Sequence, residues 1–373
     1  MIILAAAIIL SLSNSGIIGK ANKAKTDTDI SNAKDLVAMA HADWMLDEAK
    51  IKENDSTITS FSNYAEKKLQ EAGYKVGAGE GAYTVTEDGE VYTGLTETAR
   101  AGITAGIKIG DEVKYSAMLT EKSYTTDGSE RTSTGAADST KTQTVKTNTS
   151  YTWKYIGLGE DGSLLIAPDM TGIIVPFYKL TLADKGGYLN GLKMLNTVCD
   201  ALYTVAGKGK AQSMNIELVN KLLEYNGPKG YYCDMIGSHV ETAEPLTIGE
   251  IDKKLGTSLG TSTTTPDGKA LGTYYADYYK IIKSRITKDT VKQNLVYQAN
   301  EYWLASPCVV AFFSRGYAYF SVSYVASTNV DAYPLFKSNG NTDSWAYAVR
   351  PYVSLTSNIQ KTIENGKTVW TLS

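Results

Sequence analysis

Histidine is nearly missing from this chain: His41 and His239 are the only two in 373 residues. So small a set leaves little room for a His-based metal site or a Ser-His-Asp triad. Arginine is scarce as well, confined to Arg100, Arg131, Arg285, Arg315 and Arg350. With a formal net charge of -3, the chain is a poor candidate for nucleic-acid binding by phosphate neutralisation. The three cysteines, Cys199, Cys233 and Cys308, show neither CxxC spacing nor a disulfide-dense pattern. One bridge plus one buried thiol and three reduced thiols both fit. What is abundant is glycine and tyrosine, 33 and 26 residues against 6 Phe and 5 Trp. Hydrophobic content of 43% and charged content of 21% allow a sizeable core. At roughly 150 residues per domain, two or three domains are expected. The balance suggests a β-rich extracellular recognition protein more than a metabolic enzyme.

The first ten residues, Met1 to Leu10, are an uncharged apolar run. At ~1.5 Å per residue such a run covers about half of a ~30 Å hydrocarbon layer. No Lys or Arg precedes it and no small-residue cleavage site closes it, which fits a signal peptide poorly. It reads as the end of a longer hydrophobic helix. A proline-free stretch then runs to about Lys52, in which Ala33, Val37, Ala40 and Trp44 form one helical stripe.

Residues 1 to 75, with Ser-Asn-Ser-Gly-Ile-Ile-Gly-Lys-Ala-Asn-Lys-Ala at 13 to 24, resemble the tail of a type IV pilin or pseudopilin helix. In that family the apolar segment anchors the subunit in a membrane and later packs in a filament core. The resemblance therefore implies membrane attachment through this helix and, as partners, other pilin subunits. The prepilin cleavage glycine and the buried glutamate of the family are absent here. A generic peripheral or coiled-coil helix is the plainer reading of the same residues.

Further along, residues 63–72 form a short helix closed by Gly73. Asp88-Gly89 turns a hairpin, as Glu160-Asp-Gly162 does later. A first region of residues 1–106 thus holds a long helix with a small α/β part. A second begins at 107. Its residues 120–152 carry 16 Ser or Thr in 33 and read as an exposed or loosely structured insertion. Helical spacing covers residues 188–205, and a further helix is expected to open at Ala211. Residues 256–268 are a second Thr/Gly/Ser loop. From Glu301 to Leu355 the chain is strand-rich, and residues 367–372 supply a closing strand. The fold class is α+β.

Residues 302–352 carry the functional signal. This window holds 13 aromatics, seven serines and only five charged residues. Tyr, Ser, Gly and Asn at this density are the palette of antibody-like paratopes. In residues 317–323 a two-residue period puts Ala318, Phe320 and Val322 on a core face. Tyr317, Tyr319, Ser321 and Ser323 are then expected to face a ligand. Asp331, Tyr333, Ser344 and Trp345 would lie on nearby loops or strand ends. The alternative is that these aromatics are half-buried sheet packing.

The motifs Glu301-Tyr-Trp-Leu-Ala-Ser-Pro-Cys308 and Ala348-Val-Arg-Pro-Tyr-Val-Ser-Leu355 resemble the closing motifs of a bacterial family related to the C-type-lectin-like fold. Ile107-Lys-Ile-Gly-Asp111 and the helix start at residues 213–217 fit its opening and middle. That branch includes the formylglycine-generating enzyme and variable proteins of diversity-generating retroelements. The resemblance covers residues 107–373 and implies a C-type-lectin-like ligand-binding domain. It also implies that Trp303, Arg350 and Pro351 are framework and that 312–345 is the hypervariable, ligand-facing interval. The implied partner is a protein or glycan on another cell, phage or host surface, and the implied location is the cell surface or a pilus-like filament.

No cofactor is expected. Residues 207–211 lack the spacing of a phosphate loop, and the Gly cluster at 77–81 lacks strand-turn-helix context. The sugar-coordinating calcium tripeptides of animal C-type lectins and the paired cysteines of a formylglycine-generating enzyme are missing. The main expectation is a non-enzymatic, pilin-like adhesin or receptor. A structural filament subunit with a decorative head is the second, and a formylglycine-generating type of enzyme is the remote third.

Overall fold

A long helix without proline opens the described chain. The computed structural model describes residues 17–115, 121–125, 142–146, 151–169, 171, 173–177, 185–257, 281–337 and 345–373. Helix α1 (Ile17–Asn54) buries the stripe Ala33, Val37, Ala40 and Trp44, none more than 8% exposed. It breaks at Asp47, whose backbone leaves helical geometry at φ −154° and ψ 52°. Helix α2 (Phe61–Glu71) is started by Ser60, whose hydroxyl accepts from the amide of Asn63. Its Phe61 and Tyr64 meet Trp44 edge-on at 6.2 Å and tilted at 5.9 Å. Strands β1 (Tyr83–Val85) and β2 (Val91–Thr93) pair antiparallel around Gly89, as the Asp-Gly turn signal predicts. Helix α3 (Glu97–Thr104) follows. Leu69, Tyr83 and Val85 join the α1 stripe in one apolar core.

The chain divides into two compact units, residues 1–107 with 158–163, and residues 108–157 with 164–373. The sequence division at 106/107 had left residues 158–163 in the second region. Their place in the first has a steric reason. The carbonyl of Gly162 accepts from the amide of Thr96 at 3.1 Å. A Cβ on Gly162, at φ +73°, would lie 2.0 Å from the carbonyl oxygen of Gly94. Only glycine closes that turn.

The second unit continues with β3 (Glu112–Lys114), β4 (Glu121–Thr125), β5 (Thr142–Lys146), β6 (Trp153–Leu158), β7 (Leu164–Pro168) and β8 (Ile174–Phe177). Next come α4 (Lys185–Tyr203), β9 (Gly209–Ser213), α5 (Ile216–Leu222), β10 (Gly230–Cys233), β11 (His239–Thr242), α6 (Ile248–Leu255) and α7 (Thr290–Val296). The last strands are β12 (Tyr302–Phe312), β13 (Tyr317–Val325), β14 (Val330–Lys337), β15 (Trp345–Val349), β16 (Pro351–Leu355), β17 (Ile359–Glu364) and β18 (Lys367–Leu372). One seven-stranded sheet runs β17-β18-β3-β6-β7-β16-β9. A second runs β11-β10-β12-β13-β14, with β15 beside β12 and β8 beside β15. Both are mixed: β18 is parallel to β3, while β12 is parallel to β10 and β15. The chain is α+β, with an amino-terminal helix and mixed and antiparallel sheets.

Two sequence expectations need correction. Residues 209–213 are strand, alternately buried and exposed, and the helix expected from Ala211 starts only at Ile216. Asn215 sets that start, its side chain accepting from the amide of Leu218 at 2.8 Å. The Ser/Thr-rich insertion contains a paired ladder, β4 with β5, where threonine suits a strand. Residues 120, 126–141 and 147–150 of that insertion, and residues 258–268 of the second loop, lie outside the described residues.

Met214, Ile216, Val219, Leu295, Tyr302, Leu304, Val325 and Val330 form the second unit's core. Arg350 lies inside it, 1% exposed. Its Nε donates to the carbonyl of Pro168 at 3.0 Å, and one terminal nitrogen reaches the carbonyl of Leu295 at 2.5 Å and Tyr302 Oη at 3.2 Å. Carbonyl acceptors thus replace the water lost on burial. Cys199, Cys233 and Cys308 are separate buried thiols. Among the described residues, no helix is long and apolar enough to cross a membrane, and no group of three His, Cys, Asp or Glu side chains could hold a metal.

Candidate functional site

Two turns meet at one corner of the second sheet. Strand β12 passes into β13 through residues 313–316, with Gly316 in the left-handed region at φ 69°. Strand β10 passes into β11 through residues 234–238, with Gly237 at φ 88°. Cys233 pairs with Phe312, and the amide of Ser314 donates to the carbonyl of Asp234 at 3.1 Å. The two turns are therefore fixed side by side.

Each turn lifts chemistry into solvent. Met235 is 72% exposed and Ile236 87%. Next to them, the rings of Phe312, Tyr317 and Tyr319 lie 5.1 to 6.0 Å apart and are half-buried. The exposed Arg315 guanidinium lies over Phe312 at 5.5 Å and donates to Tyr317 Oη at 3.3 Å. The two tyrosine hydroxyls are themselves 3.3 Å apart. Below, Lys254 Nζ stands 5.0 Å from the rings of both Tyr232 and Phe313. Rings, hydroxyls and cations offer non-covalent contact.

A second aromatic group lies elsewhere on this sheet. Trp303 is fully buried and donates from Nε1 to the carbonyl of Val175 at 2.8 Å. Tyr347 meets it edge-on at 4.6 Å, and Tyr324 stacks on Tyr347 at 5.0 Å with 11° between planes. Tyr333 closes the group at 5.8 and 6.0 Å. Burial, then the nearby carboxylates of Asp331 and Glu301, push the Tyr324 phenol up to about 12. Burial and Glu301 push Tyr347 up as well.

The eight residues nominated from sequence do not share one surface. Tyr317 and Tyr319 fall on the face away from Ala318, Phe320 and Val322, as the two-residue period requires, and reach the corner. Ser321 and Ser323 share that face but are only 1% and 0% exposed. Val325, next on the same face, belongs to the apolar core, so this half of β13 is covered on both sides. Tyr333 sits opposite Val322, and Asp331 opposite Tyr324. Both therefore lie on the other face, with the stacked tyrosines. Trp345 lies on β15; its side chain and Ser344 fall outside the described residues.

The sequence pattern did not single out Met235, Ile236 or Tyr347, and Phe312, Arg315 and Tyr324 were included only through the implied ligand-facing interval 312–345. One signal was available: Met235-Ile236 sits between Asp234 and Gly237, where a turn ordinarily carries polar residues.

No protein-family model matches this chain, and neither a curated protein nor a solved structure does.

Proposed function

We propose that this chain is a non-enzymatic, surface-displayed recognition protein. In this reading the first unit is pilin-like and serves display. The second is a C-type-lectin-like domain of the kind found in variable proteins of diversity-generating retroelements. It contacts a ligand on another cell, phage or host surface. The observation that carries the reading is the corner: two exposed aliphatic side chains set beside three half-exposed rings and an exposed guanidinium. Aromatic and Arg groups of this kind dominate binding energy where they become desolvated.

The test combines Met235→Ser, Ile236→Ser, Tyr317→Ala and Tyr319→Ala in the full chain and measures adhesion of cells that display it. Truncated aromatic hot spots typically cost ~2 kcal/mol or more each, so adhesion should fall at least ~30-fold. Unchanged adhesion by a variant with wild-type circular dichroism refutes the reading.

A second reading, a filament subunit with a decorative head, is favoured by α1 alone. Met39, Met45 and Leu46 are 66%, 73% and 84% exposed, away from the stripe that faces the core. Under that reading Met39→Ser with Leu46→Ser abolishes assembly, whereas the corner variant assembles and adheres normally.

A further inference from the structure

The turn at residues 234–238 has an unusual division of labour. Its apex is aliphatic, while its own polar groups are satisfied internally. Asp234 Oδ1 accepts from the amides of Ile236 and Ser238 at 3.0 and 2.8 Å. The Asp234 carbonyl accepts from the Gly237 amide at 3.2 Å, and the Asp234 amide donates to the carbonyl of Ser238 at 2.9 Å. Four of the turn's amides are thus bonded without water, and the one carboxylate at the apex is held by backbone donors. An unsatisfied amide is what ordinarily keeps a loop out of a low-dielectric layer. Here that cost is largely removed in advance.

Three kinds of group surround the apex. Met235 and Ile236 are exposed aliphatic side chains. Phe312, Tyr317 and Tyr319 supply half-buried rings, two of which carry a hydroxyl. Arg315 and Lys254 are exposed at the same corner, each lying over aromatic rings. Exposed aliphatic side chains, amphipathic rings and cations are the kinds of group that meet acyl chains, the interface and anionic headgroups of a bilayer.

We propose that this corner docks onto an anionic bilayer surface, with Met235 and Ile236 entering the interface and Arg315 and Lys254 meeting lipid phosphate or carboxylate groups. The inference rests on reading the corner as the contact surface and names the class of its partner.

Co-sedimentation of the full chain with vesicles tests it. One set is pure phosphatidylcholine and the other holds phosphatidylserine and phosphatidylcholine in equal parts. At low ionic strength the wild-type chain should favour the mixed vesicles about tenfold, the order expected when cations near such a surface each contribute. Met235→Ser with Ile236→Ser should weaken binding to them about tenfold. Arg315→Glu with Lys254→Glu should erase the preference for phosphatidylserine. The apolar run at residues 1–10 is present in every variant, so only the differences between variants report on the corner. Equal binding to both vesicle types, binding to neither, or binding unaltered by the paired substitutions overturns the proposal. If the variants lose adhesion to cells while the wild type ignores vesicles, the partner is not lipid and the recognition reading stands. If adhesion and vesicle binding are both indifferent to the corner, both readings fail.

Discussion

The two aromatic groups of the second unit come from the same tyrosine-rich window yet are built on opposite terms. In the corner, rings lie near chain turns, touch a guanidinium and keep part of their surface in water. In the inner group, Tyr324 and Tyr347 stack flat and Tyr347 meets a buried tryptophan whose ring nitrogen is already bonded, while Tyr324, Tyr333 and Tyr347 are as half-buried as the corner rings. Composition is the same in both, and context decides the outcome. The corner rings are accompanied by an exposed guanidinium, whereas the other tyrosines pack on one another and on Trp303. Abundance of tyrosine therefore cannot by itself separate a binding surface from a core wall.

The sharpest way to break this comparison is to remove one ring from each group. Trp303→Ala should cost about 3–5 kcal/mol of stability, the ordinary range for emptying a buried aromatic site. Tyr317→Ala should cost about 1 kcal/mol or less, since its ring is only partly covered. Denaturant midpoints measured on both variants decide the matter. Comparable losses would mean that the corner is structural and that the two groups do the same job.

Alkaline titration separates them next. The Tyr324 phenol is held protonated by burial and by neighbouring carboxylates, up to about 12, and Tyr347 is raised for similar reasons. A group whose folded pKa exceeds its unfolded value favours the folded state fully below the unfolded pKa, about 10 for tyrosine. That contribution declines as pH rises from about 10 toward about 12. Stability should accordingly fall across that window, with Tyr324→Phe falling less steeply than wild type. An equal slope for Tyr324→Phe and wild type would place the strain elsewhere.

Much of the scaffold was readable because it depends on local rules. The α1 stripe follows from helical period, and the 83–93 hairpin from Asp88-Gly89. The face split of β13 follows from strand period at Ala318, Phe320 and Val322, which are all fully buried. What period cannot supply is how deeply the other face is covered, which depends on residues far along the chain. Ser321 and Ser323 failed for that reason: small polar side chains looked like surface, but the core reaches them through Val325 and its neighbours. Tyr333 was misplaced because its register against Val322 is a pairing between strands. The corner itself exists only because Cys233 lies beside Phe312, a parallel contact that no nearby sequence encodes.

The smallest expected effect lies in the stretch of β13 between the two groups. Ser323 Oγ is buried and has no hydrogen-bond partner among the described residues. Ser306, on the neighbouring strand and equally buried, uses its Oγ to accept from the amide of Ile216 at 2.8 Å, at the start of α5. The same substitution should thus act in opposite directions. Ser323→Ala removes a desolvated hydroxyl that gains nothing in return, so stability should hold or rise by up to about 1 kcal/mol. Ser306→Ala orphans a buried amide and should cost about 1–3 kcal/mol. Thermal midpoints of the two variants give the answer. A loss at Ser323 matching that at Ser306 would mean that its hydroxyl is paired, and that a polar network, not apolar packing alone, joins the corner to the inner rings.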